Sequence, residues 1–541
     1  MLVCSLTKTA AAEVAGRETP IPDQNIATLH SFAFRSLGLS REQVADSPQG
    51  VKLWNDHCDQ EGYPFFRLSD SGSDVDDAAA ENGRRGETLG DKAFETYNNA
   101  RARLLPLELQ SEHTQQFAGL WERWKSDQGS LDFTDFLEYA WRDCPSAPGS
   151  PAVIMGDETQ DLSRLGLRLL RKWAEEAEWL VTVGDPLQCL FAWAGTDPEG
   201  FITPDIDDEH KRVLTQGYRV PRAVQEYALE WVAPLKVEIE AHFGKAIEYR
   251  PRREVVGYDA EDRPEFGETV EGEVRRLGAA HFRYPEPAVN LAEEYLEQGK
   301  TVMFIAACSH LLDSTIQVLR KRGLPFHNPW RLKRGDWNPL ARRRGTTATD
   351  RILSFLRLSQ DVWGEENQLW TPRDLWAWVE VMEAKGLLQR GAKLALEAAA
   401  KIPCQTDEPV NPQVFDEHFE SEPILEALAH SEQGSLEWFR ERLLPTKAGA
   451  MNFPLTVAEK RGPQALRERP RTVVGTAHSL KGSEADVVFV FPDLSAAGMA
   501  EWCGSGSGHD GVRRLFYVAL TRAKETLVVC SQGSPMAVQL H

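Results

Sequence analysis

The chain has 541 residues, of which 42% are hydrophobic and 26% are charged, and its formal net charge is −21 with a pI near 5.2. This length suffices for several domains with separate cores, and the composition excludes a chain that is disordered throughout. The acidic balance excludes a protein that wraps duplex DNA through bulk positive charge. It leaves room for a local groove that holds one strand by stacking.

The spacing of the cysteines and the length of the apolar runs indicate the cellular compartment of the protein. None of the eight cysteines forms a CxxC pair, which argues against a zinc ribbon or iron–sulfur cluster and is typical of a reducing compartment. No apolar run is long enough to cross a bilayer, and the first residues, MLVCSLTK, lack the basic start of a signal peptide. The sequence therefore predicts a cytoplasmic protein with no membrane partner.

Along the first 145 residues the pattern is mainly helical. A short apolar run at 2–5 predicts a strand, and AAAEVAG and then ATLHSFAFRSLG (27–38) predict helices. The polar, acidic residues 69–91 predict a mobile loop. Residues 93–142 return to helical apolar spacing with three tryptophans.

After residue 145 the pattern is typical of a parallel α/β sheet. PAVIMGDE (151–158) and LVTVGD (180–185) predict buried strands joined by an amphipathic helix. A helix, a strand and a helix follow at 288–322, and two strands follow at 472–491. The tail predicts a loop at 504–511, then a helix and the strand TLVVC. Strands that alternate with helices indicate parallel sheets with helical cover.

Paired acids follow the first of these predicted strands. Asp157 and Glu158 in GDETQD stand at the edge of a parallel sheet where ligands bind in open α/β folds. Asp157 could hold hydrated Mg²⁺ as a hard oxygen ligand. Glu158 could deprotonate a water that attacks a terminal phosphate. A helix N-cap is an equally weighted alternative for this string.

Two further segments carry aromatic and polar residues. In VGDPLQCLFAWAG (183–195), Gln188 could sense a phosphate, and Phe191 and Trp193 could stack on bases. In LTQGYRVP, Tyr218 could stack on a purine and Arg219 could reach a phosphate with its fork. The alternatives are a turn with core aromatics and a surface arginine beside a helix start.

Two C-terminal segments complete the set. VVGTAHSLKGSEADVVFV (473–490) places a polar loop between two strands, which is either a functional loop or a charged hairpin. RRLFYVALTRAKETLVV (513–529) clusters arginines near an apolar helix face. An arginine there could neutralise charge that develops during phosphoryl transfer, or the cluster could be a solvated basic face.

Taken together, these segments resemble the motifs of UvrD/Rep-like superfamily 1 DNA helicases in their order along the chain. The segments that carry the resemblance are ATLHSFAFRSLG, GDETQD, GDPLQ with the tryptophan after it, YRVP, GTAHSLKGSEAD and FYVALTRAK. The resemblance implies an α/β fold with two RecA-like parallel-sheet cores, each with a mainly helical insertion. It also implies an ATP-dependent helicase or translocase that moves 3′ to 5′ on single-stranded DNA.

The predicted domains follow from the same resemblance. The first core comprises 1–40 and 146–211 and carries the insertion 41–145. The second core comprises 212–329 and 471–541 and carries the insertion 330–470. The expected partners are single-stranded DNA and duplex junctions, and the expected protein is a monomer.

The resemblance assigns roles around ATP and Mg²⁺ to residues of the first core. Asp157 would bind Mg²⁺, and Glu158 would be the catalytic base. Gln160 and Gln188 would couple the state of the nucleotide to DNA. Gly156 and Thr159 depart from the apolar residue and the alanine that are usual at these positions, and neither position supplies a charged ligand.

The second core would contribute the remaining nucleotide contacts. Tyr218 would cover the adenine, Glu484 would face the ribose, and Arg219 and Arg522 would sense the phosphates. DNA would be contacted by residues of several motifs, namely Thr7, Thr28, His30, Ser31, Phe191, Trp193, Thr476 and His478.

The phosphate-binding loop has no counterpart in this sequence. A P-loop requires G-x-x-x-x-G-K-[ST] between a strand and a helix. The tripeptide at 299–301 is Gly-Lys-Thr, but Glu294 replaces the first glycine and the tripeptide follows a helix, so we expect a helix end there. Only Met1–Val3 precede Cys4, which is too short for the strand and loop expected before the first DNA-contacting motif.

We therefore expect the first core to lack its initial strand and P-loop, through a misplaced start, a split gene or a true loss. The chain is then expected to be inactive as an ATPase. The alternative function is a non-hydrolysing DNA-binding or protein-interaction module on a helicase scaffold. A basic segment, WRLKRGDWNPLARRRG (330–345), could guide DNA or could be a solvated loop.

Overall fold

The computed structural model describes residues 1–5, 20–69, 88–191, 195–196, 198–202, 206–259, 262–331, 335–341, 345–402 and 408–540. They form two compact units. The first unit contains 1–281, 305–311 and 475–541, and the second contains 282–304 and 312–474. The four-part division predicted above is finer than these units and stays a prediction. No helix of the described residues is long and apolar enough to cross a membrane.

The strands of the described residues are β1 (Leu2–Ser5), β2 (Ile26–Thr28), β3 (Val153–Gly156), β4 (Trp179–Thr182), β5 (Arg253–Tyr258), β6 (Pro264–Thr269), β7 (Glu273–Leu277), β8 (Val302–Ala306), β9 (Phe326–His327), β10 (Thr472–Thr476), β11 (Ala485–Val490) and β12 (Ala523–Cys530). The sequence predicted β1, β3, β4, β8, β10, β11 and β12. It did not predict the antiparallel hairpin of β5 and β6, or the strand β7 that follows it.

The helices in the first half of the chain are α1 (Leu29–Ser36), α2 (Pro48–Glu61), α3 (Leu89–Ala102), α4 (Glu112–Gln128), α5 (Phe133–Asp143), α6 (Arg164–Ala174), α7 (Pro198–Ile202), α8 (Arg222–Trp231), α9 (Ala233–Phe243) and α10 (Glu286–Glu297). Helical spacing in 93–142 is thus confirmed by α3, α4 and α5. The predicted AAAEVAG helix, and residues 70–87 of the predicted loop, lie outside the described residues.

The remaining helices are α11 (Asp313–Arg322), α12 (Ala348–Phe355), α13 (Gln360–Trp363), α14 (Pro372–Val379), α15 (Ala392–Ala399), α16 (Gln413–His418), α17 (Ser421–Glu432), α18 (Glu437–Glu441), α19 (Pro445–Arg461), α20 (Ala496–Cys503) and α21 (Ser507–Leu520). The prediction of a loop at 504–511 was wrong in its second half, because α21 begins at Ser507.

A four-stranded parallel sheet in the order β2-β1-β3-β4 organises the first part of the chain. Cys4 pairs with Ala27 on one side and with Gly156 on the other. Apolar side chains of α1, α5 and α6 cover one face of this sheet and form a core with Leu2, Cys4 and Ile154. The strand register places the C-terminal end of β3, and therefore Asp157, at the carboxyl edge of the sheet. There the Asp157 N–H donates a hydrogen bond to the Cys4 carbonyl at 2.8 Å.

The prediction that LVTVGD forms a buried strand was wrong. Strand β4 lies at the edge of the described sheet, and its Trp179 and Val181 side chains are 59% and 36% exposed. A short apolar run is typical both of a central parallel strand and of an edge strand. Only the neighbours that a strand acquires in the fold distinguish the two cases.

A six-stranded sheet has the order β7-β12-β11-β8-β10-β9. The pairs β7–β12, β12–β11 and β10–β9 are parallel, and every residue of β8 is buried. Residues of β8 and β10 belong to both compact units. Gly299 has a positive φ of 83° between α10 and β8, so the prediction that Gly-Lys-Thr marks a helix end is confirmed.

A buried charge network joins the helices of 88–143. Arg101 of α3 and Lys125 of α4 both form ion pairs with Asp132 and Asp135 at the start of α5. The Trp121 indole N–H donates to Asp132 at 2.9 Å. Burial alone would raise the pKa of Asp132, but Arg101 and Lys125 outweigh it and hold this pKa well below its usual range. The network therefore needs every partner, because an unpaired buried charge is costly.

Replacing Asp132 tests this network. We expect Asp132→Ala to lower the free energy of unfolding by about 3–5 kcal/mol, because two buried cations lose a shared partner. Denaturant unfolding followed by circular dichroism measures the change. The matched control is Asp143→Ala, which removes an exposed carboxylate paired with Arg142 at 2.7 Å and should cost no more than about 1 kcal/mol. Equal effects of the two substitutions would contradict the network.

Candidate functional site

The site begins at the carboxyl end of β3. Glu158 occupies the left-handed region, with φ 51° and ψ 39°, which is uncommon for a residue with a side chain. The flanking backbone holds this conformation, because the Thr159 N–H donates to the Val183 carbonyl at 2.9 Å. The side chain of Glu158 makes no capping hydrogen bond to the 3₁₀ turn of Thr159–Asp161. Glu158 is therefore the N-cap residue of this turn by position, but its carboxylate does not cap it, and the N-cap alternative for the Asp and Thr of this string stays open.

The two departures from the helicase pattern at this turn compensate one another. The Thr159 hydroxyl donates to the Gly156 carbonyl at 2.8 Å. A Cβ added at Gly156 would lie 2.9 Å from the Thr159 hydroxyl oxygen. A larger residue at 156 would therefore crowd the Thr159 side chain, so the glycine at 156 and the threonine at 159 are sterically compatible.

Lys481 joins the acids of this turn to the loop after β10. Its Nζ lies 3.1 Å from the Glu158 carboxylate, forms an ion pair with Asp161 and donates to the Gln188 carbonyl at 2.9 Å. Burial raises the pKa of Glu158, but the Lys481 charge and its hydrogen bonds outweigh burial, so the net shift is downward. The acids raise the pKa of Lys481 against the effect of its own burial. Both groups are therefore charged at neutral pH.

A chain of side-chain amides extends from Glu158. The Gln160 amide donates to Glu158 at 2.6 Å, and its oxygen accepts from the Asp185 N–H at 3.1 Å. The Gln188 amide donates to the Asp185 carboxylate at 2.9 Å. A Cβ at Gly184 would lie 2.1 Å from the Gln160 oxygen, so a larger residue there would displace the Gln160 amide. The structure thus brings Gln160 and Gln188 into one network with Glu158.

Arg522 reaches the same network from the end of α21. Its guanidinium lies 3.4 Å from the Gln188 oxygen and donates to the Val518 carbonyl at 2.9 Å. Arg522 is 1% exposed, and none of the described carboxylates lies within ion-pair distance of it. Burial and then the positive charge of Arg219 lower its pKa to about 9. A buried guanidinium that has no ion-paired carboxylate and lies near a second guanidinium favours an anion beside it.

Tyr218 and Arg219 lie on a loop that the unpredicted hairpin supports. The Gly217 N–H donates to the Arg250 carbonyl at 2.9 Å, next to the start of β5. The Tyr218 ring is 62% exposed and lies 5.7 Å from the Phe266 ring of β6. Glu484 lies 4.0 Å from the Arg219 guanidinium. An exposed ring beside two charged groups is suited to a planar ligand with an anionic tail.

Two residues that were predicted to contact DNA, Thr28 and His30, make contacts within the protein. Thr28 is buried and caps α1 by accepting from the Ser31 N–H at 3.2 Å. The His30 ring packs against Phe133 at 6.1 Å. Burial lowers the pKa of His30 to about 4. These positions have structural explanations, so their contact with DNA stays a prediction.

The later predicted DNA contacts are also mostly interior. Phe191 is 9% exposed, and its ring lies 6.2 Å from that of His478. Burial lowers the pKa of His478 to about 4. Thr476 is 0% exposed, which does not favour a role against DNA. Thr7 and Trp193 lie outside the described residues.

Sequence reasoning missed the partnership of Lys481 with Asp161. Both residues stood in segments that carried the resemblance, but 320 positions separate them. A lysine followed by glycine between two strands, and a second acid three residues after Glu158, were the available signals. Neither indicates a partner, because pairing over this distance depends on how the sheets are connected.

The fold and the comparisons agree on a class of protein. Parallel-sheet α/β cores with helical insertions are of the RecA-like type, as the resemblance implied. The family model for the UvrD/REP helicase N-terminal domain matches residues 1–207, and the model for the UvrD-like helicase C-terminal domain matches residues 472–530. A search of curated proteins found no match to the chain. The chain belongs to the UvrD-like superfamily 1 helicases, a family of DNA-binding enzymes that use ATP.

A double-mutant cycle tests the Lys481–Asp161 contact. We expect Lys481→Met and Asp161→Asn each to lower the free energy of unfolding by about 3–5 kcal/mol, because each leaves a buried polar group unpaired. The double variant should lose less than the sum, by about 0.5–3 kcal/mol. Urea unfolding gives the four free energies.

The matched control for this cycle is the surface pair of Lys211, which is partly buried, and the exposed Asp208, which are 3.2 Å apart. Lys211→Met should change stability by no more than about 1 kcal/mol. Additive effects of the Lys481 and Asp161 substitutions would contradict the proposed pairing.

Proposed function

We propose that this chain forms the motor of an ATP-dependent helicase or translocase that acts on single-stranded DNA. The observation that carries the proposal is the meeting of Glu158 and Arg522 in one buried network. Gln188 contacts Arg522 at 3.4 Å, and the Arg522 charge lowers the pKa of Glu158 after the larger contribution of Lys481. An acid and an arginine in one network are what phosphoryl transfer to water requires.

The residues fit a magnesium–nucleotide complex in their chemistry. Asp157 offers a hard oxygen ligand at the carboxyl edge of the first sheet, where ligands bind in α/β folds. Arg219 and Arg522 offer positive charge to phosphates, and the exposed Tyr218 ring offers a face to the base. Bound Mg²⁺ and ATP would supply the reactive terminal phosphate.

The side chains of this chain would then divide the work. Lys481 keeps Glu158 ionised, so that its carboxylate can orient a water and accept its proton. Arg522 would neutralise the charge that develops on the phosphate, and Arg219 would do so beside it. Gln188 contacts both Arg522 and Asp185, and it would report the presence of the phosphate to the turn that carries Gln160.

The remaining features of the proposal come from the resemblance. They are 3′-to-5′ movement, action at duplex junctions, a monomeric state and a cytoplasmic location. The sequence of these 541 residues contains no G-x-x-x-x-G-K-[ST] string. Hydrolysis therefore needs backbone amides and a lysine that these residues do not supply. This absence favours a second candidate, a DNA-binding or protein-interaction module that does not hydrolyse ATP.

ATP turnover by the 541-residue chain tests the need for a P-loop. We expect negligible ATPase activity with or without single-stranded DNA, because no loop cradles the phosphates. A coupled assay of phosphate release measures it. The control is Glu158→Gln, which should not change the residual signal. DNA-stimulated turnover that Glu158→Gln abolishes would refute this expectation.

The role of Arg522 can be tested in a protein in which a P-loop segment is covalently joined to this chain. We expect Arg522→Ala to lower kcat by about 10³-fold or more, since arginine fingers contribute about this much to phosphoryl transfer. DNA-stimulated ATPase assays give kcat. Arg275→Ala is the control, because Arg275 is exposed and pairs with Glu273 at 2.6 Å away from the site. A wild-type kcat in Arg522→Ala would refute the role given to Arg522, and an absence of DNA-stimulated ATP turnover in the joined protein would favour the second candidate.

A further inference from the structure

A large cavity lies within the second compact unit. Its volume is about 1090 Å³. Its walls are β9, one face of α12, the first turn of α14 and the segment 466–470 that leads to β10. Residues 338–341 and 345–347 complete it, and they include part of the basic segment that the sequence singled out at 330–345.

The acidic and the basic side chains that line this cavity differ in how they contact neighbouring residues. Four arginines line it, namely Arg357, Arg373, Arg467 and Arg469. Two of the three lining acids, Asp350 and Asp374, cap the helices α12 and α14 by accepting from Thr347 and Thr371. These two carboxylates therefore already accept hydrogen bonds at the N-termini of their helices. The cavity has more guanidinium groups than carboxylates that are free of such contacts.

Three of these arginines have no acidic partner. Among the described residues, no carboxylate lies within ion-pair distance of Arg357, Arg467 or Arg469. The hydroxyls of Thr346 and Ser354, which also line the cavity, have no hydrogen bond to another described residue. A cavity with several free donors and few free acceptors is complementary to a ligand rich in oxygen acceptors.

Trp363 orients two of the guanidiniums. The Arg357 and Arg467 guanidinium carbons lie 4.5 and 4.4 Å from the centre of the Trp363 ring. An arginine stacked on an aromatic face keeps the N–H groups at its edge free for a bidentate contact with phosphate. Burial lowers the pKa of His327, which also lines the cavity, and the positive charge of Arg469 contributes to this lowering.

We propose that this cavity is a second phosphate-binding site, at which Arg357, Arg467 and Arg469 hold the backbone of a nucleic-acid strand. The chemistry shared by all its ligands is a phosphate oxyanion, so a free nucleotide or polyphosphate is the other source. DNA as the ligand rests on the proposed function, whereas the phosphate site does not. The site does not depend on ATP hydrolysis and can be tested in the 541-residue chain.

The experiment measures binding of a fluorescent 20-nucleotide DNA by anisotropy over a range of salt. In Arg467→Glu/Arg469→Glu, we expect the dissociation constant to rise by about tenfold or more. The slope of log K against log salt should become shallower by about 1.4, because two phosphate contacts on a single strand are lost. The control is Arg390→Glu, an exposed arginine of the same unit that does not line the cavity. It should leave the slope unchanged.

A second arm separates the two sources of phosphate. Calorimetric titration with tripolyphosphate and with ATP, without Mg²⁺, measures small-anion binding in the same variants. Loss of small-anion binding with unchanged DNA affinity would support the site with a free nucleotide or polyphosphate as its ligand. Wild-type behaviour of the double variant toward both DNA and small anions would overturn the proposal.

Two further variants keep the test decisive. If the charge reversal impairs folding, judged by thermal unfolding, Arg467→Gln/Arg469→Gln removes the charge with less repulsion, and the same outcomes apply to it. Arg275→Ala, at an exposed arginine that does not line the cavity, should not change binding of tripolyphosphate. A failure of the proposed motor function would appear as absent ATP turnover in the protein joined to a P-loop, whereas a failure of this site would appear only in the variants at 467 and 469.

Discussion

The arrangement of the candidate site depends on one buried cation, the ammonium of Lys481. It holds Glu158 and Asp161 at the end of β3 against the loop that follows β10. Without this charge the two carboxylates would repel each other in a poorly solvated place, and burial would drive at least one of them to protonate. The lysine thus fixes both the position and the ionisation of the acid that the family resemblance makes the catalytic base.

A second electrostatic feature lies on the opposite side of the same network. Arg522 is buried against backbone carbonyls and the Gln188 amide, with Arg219 as a like-charged neighbour. Lys481 thus neutralises the carboxylates, and Glu484 lies 4.0 Å from Arg219, whereas none of the described carboxylates lies within ion-pair distance of Arg522. An anionic ligand would complete the balance of charge at Arg522. This asymmetry is the physical reason to expect a phosphate beside Arg522.

The helical parts of the chain use charge in two different ways. In 88–143, cations and acids are paired and buried, and they stabilise the contacts among α3, α4 and α5. Around the cavity of the second unit, Asp350 and Asp374 accept hydrogen bonds at helix starts, and Arg357, Arg467 and Arg469 have no acidic partner among the described residues. The first arrangement stabilises a fold, and the second is suited to binding. Composition alone does not separate them, because both regions are rich in charged residues and tryptophan.

The sequence by itself determined the α/β class, most strands and the family, and it proposed Asp157, Glu158, Arg219 and Arg522 as the acids and arginines of the candidate site. These features depend on local periodicity and on short motifs, which neighbouring residues specify. Only the tertiary structure decided that β4 is an edge strand, that Lys481 is the partner of Asp161, and that a hairpin supports the loop of Tyr218. It also showed that Phe191 and Thr476 are interior. Each of these depends on contacts between residues far apart in the chain, and no local pattern records which distant segment will become a neighbour.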